Sequence, residues 1–162
     1  ACVRSGPQRA VAGGELVLLS GGRRMRTGPQ SGVVVVNCRT LEVTAAELAS
    51  DSEVAPPRHR HAACKIAPAE PGGMERVLVI GGIHLSARQS RIYRSSEALV
   101  LELLDSEGRT VRWRTQRLEG DAPGGGAPLF HHVLCSFDGG RRAVAWGGGT
   151  MGIGSDAPAR VR

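Results

Sequence analysis

Val77-Leu78-Val79-Ile80-Gly81-Gly82 is a short apolar run that ends in a glycine pair, and the chain contains three versions of it. The other two are LVLLSGG at 16–22 and AVAWGG at 143–148. A further glycine pair precedes each version, and the first glycine of the run follows the second glycine of that pair by seven, eight and seven positions. A motif that returns about every sixty residues predicts a repeat protein, in which one unit cannot bury its apolar face alone.

A second motif precedes the glycine pairs of the second and third units. In Pro57–Cys64 and in Pro128–Cys135, proline stands four residues before the last histidine, and cysteine stands three residues after it. Ala1-Cys2 corresponds to Ala63-Cys64, which would put the matching histidine upstream of residue 1. We therefore expect the chain to begin inside a repeat, as a fragment of a longer protein.

Further strands are predicted downstream of the glycine pairs. Val33–Val36 and Leu99–Leu103 are apolar runs, and Thr110–Arg114 alternates polar and apolar residues as a half-buried strand does. Asp105–Gly108 has turn chemistry. One unit thus reads as strand, tight turn, strand, long loop, strand, short turn and strand. The best helical candidate, Thr44–Ala49, is too short to form an independent helix.

These motifs resemble the kelch repeat, whose units each form one four-stranded blade of a β-propeller. The resemblance covers nearly all of the chain and implies one all-β domain over 1–162, with units of about 1–57, 58–128 and 129–162. Since propellers have four to eight blades, it implies a partial propeller of about three blades from a larger ring. Val43 stands where the late tryptophan of the unit, Trp113, is expected. The residues assigned to the structural repeat are Gly21, Gly22, His61, Gly81, Gly82, Trp113, His132, Gly147 and Gly148.

Four stretches narrow the resemblance to the tRNA wybutosine-synthesizing protein 4 family, also called leucine carboxyl methyltransferase 2. They are Gly21-Gly22-Arg23, Arg58–Cys64, Val79–Ile83, and Pro128-Leu129 leading to Gly147–Gly149. Members of that family couple an N-terminal S-adenosylmethionine-dependent methyltransferase domain to a C-terminal kelch propeller, and they complete wybutosine beside the anticodon of phenylalanine tRNA. The resemblance implies that this chain is the propeller part. It then has no catalytic or cofactor-binding residue, and S-adenosylmethionine belongs to the parent protein.

Another interpretation stays open: a general kelch scaffold that binds a protein ligand, such as the substrate-recruiting part of a ubiquitin-ligase adaptor. Both interpretations need a partner surface. In a four-stranded meander the long segments 23–32, 49–57, 83–97 and 118–128 emerge at one end, so they predict that surface. The net charge is +6 and twenty of the 21 basic residues are arginine, which suits tRNA phosphates. The candidate partner-binding residues are Arg23, Arg24, Arg26, Arg88, Arg91 and Arg94.

Other site classes have little support in the sequence. His59 and His61 would face one side of a strand and Cys64 the other, and a fourth ligand is lacking, so we expect no metal site. The glycine-rich stretch 147–154 lacks the lysine of a P-loop. No apolar run approaches eighteen residues, so we expect no membrane span. Cysteines at 2, 38, 64 and 135 form no C-x-x-C pair. Cys2, Cys64 and Cys135 share one repeat position beside small or apolar residues, so we expect them to be buried, reduced thiols in different blades of an intracellular, cytoplasmic protein.

Overall fold

The computed structural model describes residues 8–12, 16–24, 28–85, 92–94, 98–116 and 130–149. These residues form an all-β structure, as the sequence predicts, with one 3₁₀ turn at Asp138–Gly140. In chain order the strands are β1 (Gln8–Ala12), β2 (Leu16–Ser20), β3 (Arg23–Arg24), β4 (Gly28–Pro29), β5 (Val33–Asn37), β6 (Val43–Ala45), β7 (Glu47–Leu48), β8 (Arg58–His59), β9 (Ala62–Ile66), β10 (Arg76–Ile80), β11 (Ile83–Leu85), β12 (Ile92–Arg94), β13 (Ala98–Leu103), β14 (Thr110–Gln116), β15 (Phe130–Phe137) and β16 (Arg142–Gly149).

Three main sheets are built from these strands. Sheet I has the order β1-β2-β5-β6, and every pair in it is antiparallel. Sheet II has the order β7-β14-β13-β10-β9; four of its strands form an antiparallel meander, and β7 joins β14 in parallel. Sheet III is the β15-β16 pair. The strands read from the sequence, including Thr110–Arg114 with its alternating pattern, therefore form as expected.

The sheets pack face to face through two apolar layers. Alternate residues of a strand point to opposite faces, so β10 and β13 serve both layers. Val79 and Leu101 pack with Leu18 and Val35 of sheet I, and Trp113 also belongs to this first layer. Leu78 and Val100 point the other way and pack with Leu134 and Ala145 of sheet III, forming the second layer. Sheet II is thus covered by an apolar surface on both sides, which makes it the centre of the fold.

The strand registers relate sheet I to sheet II residue by residue. Gly21 and Gly81 both follow the second strand of their sheets. The residues at the same distance before these two glycines pair with Val36 in sheet I and with Leu101 in sheet II, so Val36 is the counterpart of Leu101. Val36 pairs with Val43, and Leu101 pairs with Trp113. Val43 therefore occupies the tryptophan position of its unit, as predicted. The first strands β1, β9 and β15 also lie side by side, with β9 in the middle.

Turns at one end of the sheets are fixed by specific contacts. The predicted turn at Asp105–Gly108 forms: Asp105 Oδ1 accepts hydrogen bonds from the Glu107 and Arg109 amides, and its Oδ2 accepts one from the Thr110 amide at 2.7 Å. The turn at Asp138–Gly140 reaches sheet II, where the Ala67 amide donates to the Gly140 carbonyl at 3.0 Å. Adjacent sheets are therefore joined at their turns as well as through the apolar layers.

The link from sheet I to sheet II is not a free loop. It was expected to be part of the partner surface at 49–57, but its first half runs along the outer edge of β14. The amides of Glu47, Ala49 and Glu53 donate to carbonyls of Arg109, Val111 and Trp113. Unpaired backbone at a sheet edge favours such pairing, and the link covers this edge. Only the second half of the segment remains as a connection to β8.

The prediction that the cysteines at the shared repeat position are buried is wrong for Cys135. Cys38 and Cys135 are exposed, Cys64 is half-buried, and Cys2 lies outside the described residues. Cys135 is exposed because it lies on the face of sheet III that no other described sheet covers. The thiols of Cys38, Cys64 and Cys135 are all free. Within the ranges that the structure describes, no helix has the length and apolar character needed to cross a membrane.

Candidate binding surface

The three candidate partner-binding arginines that the structure describes lie on hairpins rather than in open loops. After the glycine pair of sheet I, β3 and β4 pair antiparallel, with Arg23 opposite Pro29. After the glycine pair of sheet II, β11 and β12 do the same, with Ile83 opposite Arg94. Arg23 and Arg24 thus belong to β3 and Arg94 to β12, whereas Arg26, Arg88 and Arg91 lie outside the described residues.

The two hairpins are neighbours, since β4 lies beside β11. We call them, together with β8, the hairpin surface. It stands at the opposite end of the sheets from the Asp105–Gly108 turn, because successive connections of an antiparallel meander alternate between the two ends. The backbone of Arg23, Arg24 and Arg94 therefore lies at one end of the sheets.

Strand β8 holds the two hairpins together. Ile83 pairs with His59, which makes β8 the third strand of the β11–β12 hairpin. On the other side the Gly22 amide donates to the Arg58 carbonyl at 2.9 Å, and the Arg58 amide donates to the Gln30 carbonyl at 3.3 Å. Two residues thus connect the first hairpin to the second through backbone hydrogen bonds.

Both glycines of a pair are needed where the hairpins leave the sheets. Gly21 has φ 68° and Gly22 has φ 98°, in the left-handed region that side chains with a Cβ disfavour. A Cβ at Gly21 would lie 2.5 Å from the Arg58 carbonyl oxygen and 2.8 Å from Cε1 of His61. The next unit therefore packs so closely against this glycine pair that a side chain has no room there.

Buried basic side chains lie on β8 and at the base of the two hairpins. Arg58, His59, His61 and His132 are all buried, and the Arg58 Nη1 donates to the Gly81 carbonyl at 3.1 Å. His61 has an exposed fraction of 1% and comes from the second unit. His132, its counterpart in the third unit, pairs with Gly147 of β16. Each repeat histidine thus lies beside a repeat glycine.

The environment of these histidines disfavours their charged form. Burial lowers the pKa of His61 to about 4, and the positive charge of Arg58 and the nearby imidazoles of His132 and His59 act in the same direction, while the Ser20 backbone opposes them. Burial also lowers the pKa of His132 to about 4. Both imidazoles are therefore neutral at physiological pH. They contribute packing, and no positive charge, to the surface above them.

Several arginines on the described surface are already paired with carboxylates. Arg112 bonds to Glu102 at 2.8 Å and to Asp51 at 3.0 Å, and Arg114 bonds to Asp51 at 2.7 Å. Arg109 lies 2.6 Å from Glu107. The interaction with Asp51 and Glu102 raises the pKa of Arg112. Arg109, Arg112 and Arg114 therefore lie in ion pairs, and they are not part of the hairpin surface.

Among the residues that the structure describes, no three histidine, cysteine or acidic side chains lie close enough together to hold a metal ion. His59, His61 and Cys64 are separated between β8, β9 and the bend that joins them. The described part of this surface is a pair of hairpins that β8 holds together.

Comparison with known proteins gives a fold and no family. No family model matches the sequence, and no curated protein matches it. In structure the chain is similar to a chain of the "Cryo-EM structure of RAG in complex with one melted RSS and one unmelted RSS", with a TM-score of 0.59 and 24% identity over 90% of this chain. The match covers 41% of that chain, so this protein spans about two fifths of its length. At this identity the likeness shows the fold alone.

Sequence reasoning missed the part played by Arg58 and His59. The histidine repeat pointed to His61 and His132, whose counterparts can be aligned, whereas β8 has no described equivalent in the other units. The signal that could have found it is the alternation Arg58-His59-Arg60-His61, since alternating side chains are typical of a short strand.

Proposed function

We propose that this chain is three blades of a kelch-type β-propeller and serves as the non-catalytic binding part of a tRNA wybutosine-synthesizing, S-adenosylmethionine-dependent methyltransferase. The stacked sheets, the shared register of sheets I and II, and the neighbouring first strands support the propeller. The kelch and wybutosine motifs in the sequence support the narrower family. In this proposal S-adenosylmethionine binds to another part of the longer, cytoplasmic protein.

The observation that carries the binding role is the hairpin surface. A rigid scaffold with projecting connections at one end is a common way of presenting binding residues. Strands β3 and β12 bring Arg23, Arg24 and Arg94 to that end, and β8 fixes the distance between the hairpins. Arginine contacts to phosphates supply affinity without reading sequence, which suits a domain that holds a folded RNA while another domain modifies it.

A protein ligand on the same hairpin surface is the second candidate. Away from that surface, Arg109, Arg112 and Arg114 are paired with Glu107, Glu102 and Asp51, so these three arginines do not extend the basic surface that would hold a tRNA. Such a kelch scaffold would recruit a protein through the hairpins, as a ubiquitin-ligase adaptor does.

A matched pair of charge variants separates the two candidates. Arg23→Gln/Arg24→Gln removes two charges from the hairpin surface, and Arg39→Gln/Arg141→Gln removes two charges from turns at the opposite end. We measure binding of phenylalanine tRNA at several salt concentrations. The first variant should weaken binding several-fold and reduce the slope of log affinity against log salt by about one to two. The second should bind as the unchanged chain does. Equal binding by both variants overturns the tRNA proposal and leaves the protein scaffold.

A further inference from the structure

His61 and His132, the repeat histidines of the second and third units, lie next to each other inside the fold. Strands β9 and β15 are neighbours, and at their start the His131 amide donates to the Arg60 carbonyl at 3.1 Å. His61 and His132 follow these two residues directly in the chain, and their exposed fractions are 1% and 6%. The two imidazoles therefore lie in the interior, at the place where the second unit meets the third.

Neither imidazole has a hydrogen-bond partner among the described residues, although all four ring nitrogens are buried. The Ser20 carbonyl favours the charged form of His61, but it lies outside hydrogen-bond geometry. A neutral imidazole has one N–H donor and one acceptor nitrogen, and buried polar groups are normally paired with protein, water or an ion. The two side chains therefore present unused hydrogen-bonding groups to a small ligand.

The surroundings of this histidine pair are positive. Arg58 is buried, and its charge acts on His61 together with the imidazoles of His132 and His59. No carboxyl group of the described ranges is among the groups that shift the pKa of His61 or His132. A positive field of this kind attracts an anion and repels a metal ion. A metal ion also needs more protein ligands than the described part of the chain brings together here.

We propose that His61, His132 and Arg58 form a binding site for one small inorganic anion of the halide class, such as chloride or bromide. The ion accepts hydrogen bonds from the imidazole N–H groups and is attracted by the guanidinium. Because the side chains are almost fully buried, the ion must leave its water shell. This cost rises with ionic charge, so the site selects a singly charged ion over phosphate or sulfate. The inference goes beyond the proposed function and does not depend on tRNA.

Binding of the anion is coupled to protons. The groups that face His61 are Arg58, His59, His132 and the Ser20 carbonyl, while His132 responds to burial. Without the ion, both repeat imidazoles have pKa values of about 4. A neighbouring negative charge favours the charged form of an imidazole, so the bound ion raises these pKa values and binding takes up protons. The affinity for chloride should therefore rise as the pH falls from 7 to 5.

Thermal unfolding in matched salts tests the site. Sodium isethionate serves as the reference, because its anion is too bulky for a buried site between two imidazoles. At pH 6.5 and equal ionic strength, chloride and bromide should raise Tm along a saturating curve, by about 3–6 °C at about ten times the half-saturating concentration. Half-saturation should need less chloride at pH 5.5 than at pH 7.5. The same Tm in chloride and isethionate, or a rise that never saturates, overturns the proposal.

A matched pair of histidine variants locates the effect. His132→Leu removes an uncharged imidazole and should weaken the response to chloride about tenfold or more. His131→Asn changes the neighbouring exposed histidine and should leave the response unchanged. Circular dichroism at pH 7 checks that both variants are folded. An unchanged response to chloride in His132→Leu overturns the site.

Bromide in crystals of the unchanged chain gives a measurement that needs no variant. Its anomalous scattering should place one ion between the imidazoles of His61 and His132, near Arg58. Bromide at other positions alone, or no ordered bromide, overturns the proposal. Since no RNA is present in these experiments, failure here leaves the tRNA proposal untouched, and a failure of tRNA binding leaves the anion site untouched.

Discussion

The imidazole of His61 rests against Gly21, so that a Cβ at the glycine would lie 2.8 Å from Cε1 of the histidine. This contact joins the glycine pair of the first unit to the start of the second. Backbone is involved as well, because the same Cβ would lie 2.5 Å from the Arg58 carbonyl oxygen. The glycine pair therefore has two roles: it adopts positive φ, and it leaves room for the next unit to pack against its backbone.

Gly21→Ala should destabilise the chain more than Gly147→Ala does. Both glycines have positive φ, 68° and 72°, so each substitution costs about 1–2 kcal/mol in backbone conformation. Only Gly21 adds a clash, for which overpacked sites suggest a further loss of about 1–3 kcal/mol. Urea unfolding followed by circular dichroism measures the difference. Equal losses in the free energy of unfolding would show that Arg58 and His61 can move to accommodate a methyl group at Gly21.

Trp113→Ala should lower the free energy of unfolding by about 3–5 kcal/mol. Trp113 has an exposed fraction of 3% and packs in the layer between sheets I and II, so its removal leaves a large cavity. Trp146→Ala is the matched control: the Trp146 side chain has an exposed fraction of 57%, so its removal should change the free energy of unfolding by less than about 0.5 kcal/mol. The reverse order of the two losses would contradict the packing described.

Acidification should destabilise the fold before its carboxyl groups titrate. The pKa values of His61 and His132 are lowered from 6.5 to about 4, so the unfolded chain takes up protons first as the pH falls. The contribution of each neutral imidazole is complete above pH 6.5 and is lost as the pH falls towards 4, up to about 3 kcal/mol each. The carboxyl groups of Asp51, Glu53 and Asp105 have lowered pKa values, so their effect comes at lower pH.

Urea unfolding at pH 7, 6, 5 and 4.5 tests this dependence. His61→Leu and His132→Leu should each flatten the decline between pH 6.5 and 4, whatever their stability at pH 7. A decline of unchanged slope in both variants would show that other groups cause it. His131 is exposed, and burial and the charge of Arg60 lower its pKa only in a shallow site, so it provides the control: His131→Asn should leave most of the slope in place.

Asp105→Ala should cost about 1–2 kcal/mol by removing the acceptor of three backbone hydrogen bonds. These bonds outweigh the effect of burial, which raises the pKa of Asp105, and the net result is a lowered pKa. Asp105→Asn keeps one acceptor oxygen and should lose less than the alanine variant. Thermal unfolding monitored at 218 nm compares the three chains, and an order other than aspartate, asparagine, alanine would argue against the capping role.

The repeat and its strands could be predicted because glycine pairs and apolar runs act locally. Val77–Ile80 needs no distant residue to become a strand, and Gly81 marks its end. The path of Ala49–Glu53 could not be predicted, because it depends on carbonyls of Val111 and Trp113 far along the chain. The exposure of Cys135 has a similar cause: its burial depends on a neighbouring sheet, and its own strand does not determine it.

For the candidate surface, the strand order of a meander predicted at which end of the sheets the long segments emerge, but it did not predict their local conformation. Arg23 and Arg94 were expected in loops, and the pairing of Arg23 with Pro29 and of Arg94 with Ile83 puts them in hairpins. The charge count was misleading for Arg112 and Arg114, because their acidic partner Asp51 is distant in sequence and is brought close by the link along β14.

The edge pairing of 47–53 with β14 changes where the modules of this protein begin. A cut at the sequence boundary between 57 and 58 would leave sheet II without the backbone partner of its outer strand. A transplant or deletion that starts near residue 46 carries that partner along. The structural module around sheet II is therefore offset from the sequence repeat, and the segment 47–53, which follows sheet I in the chain, ties the two sheets together.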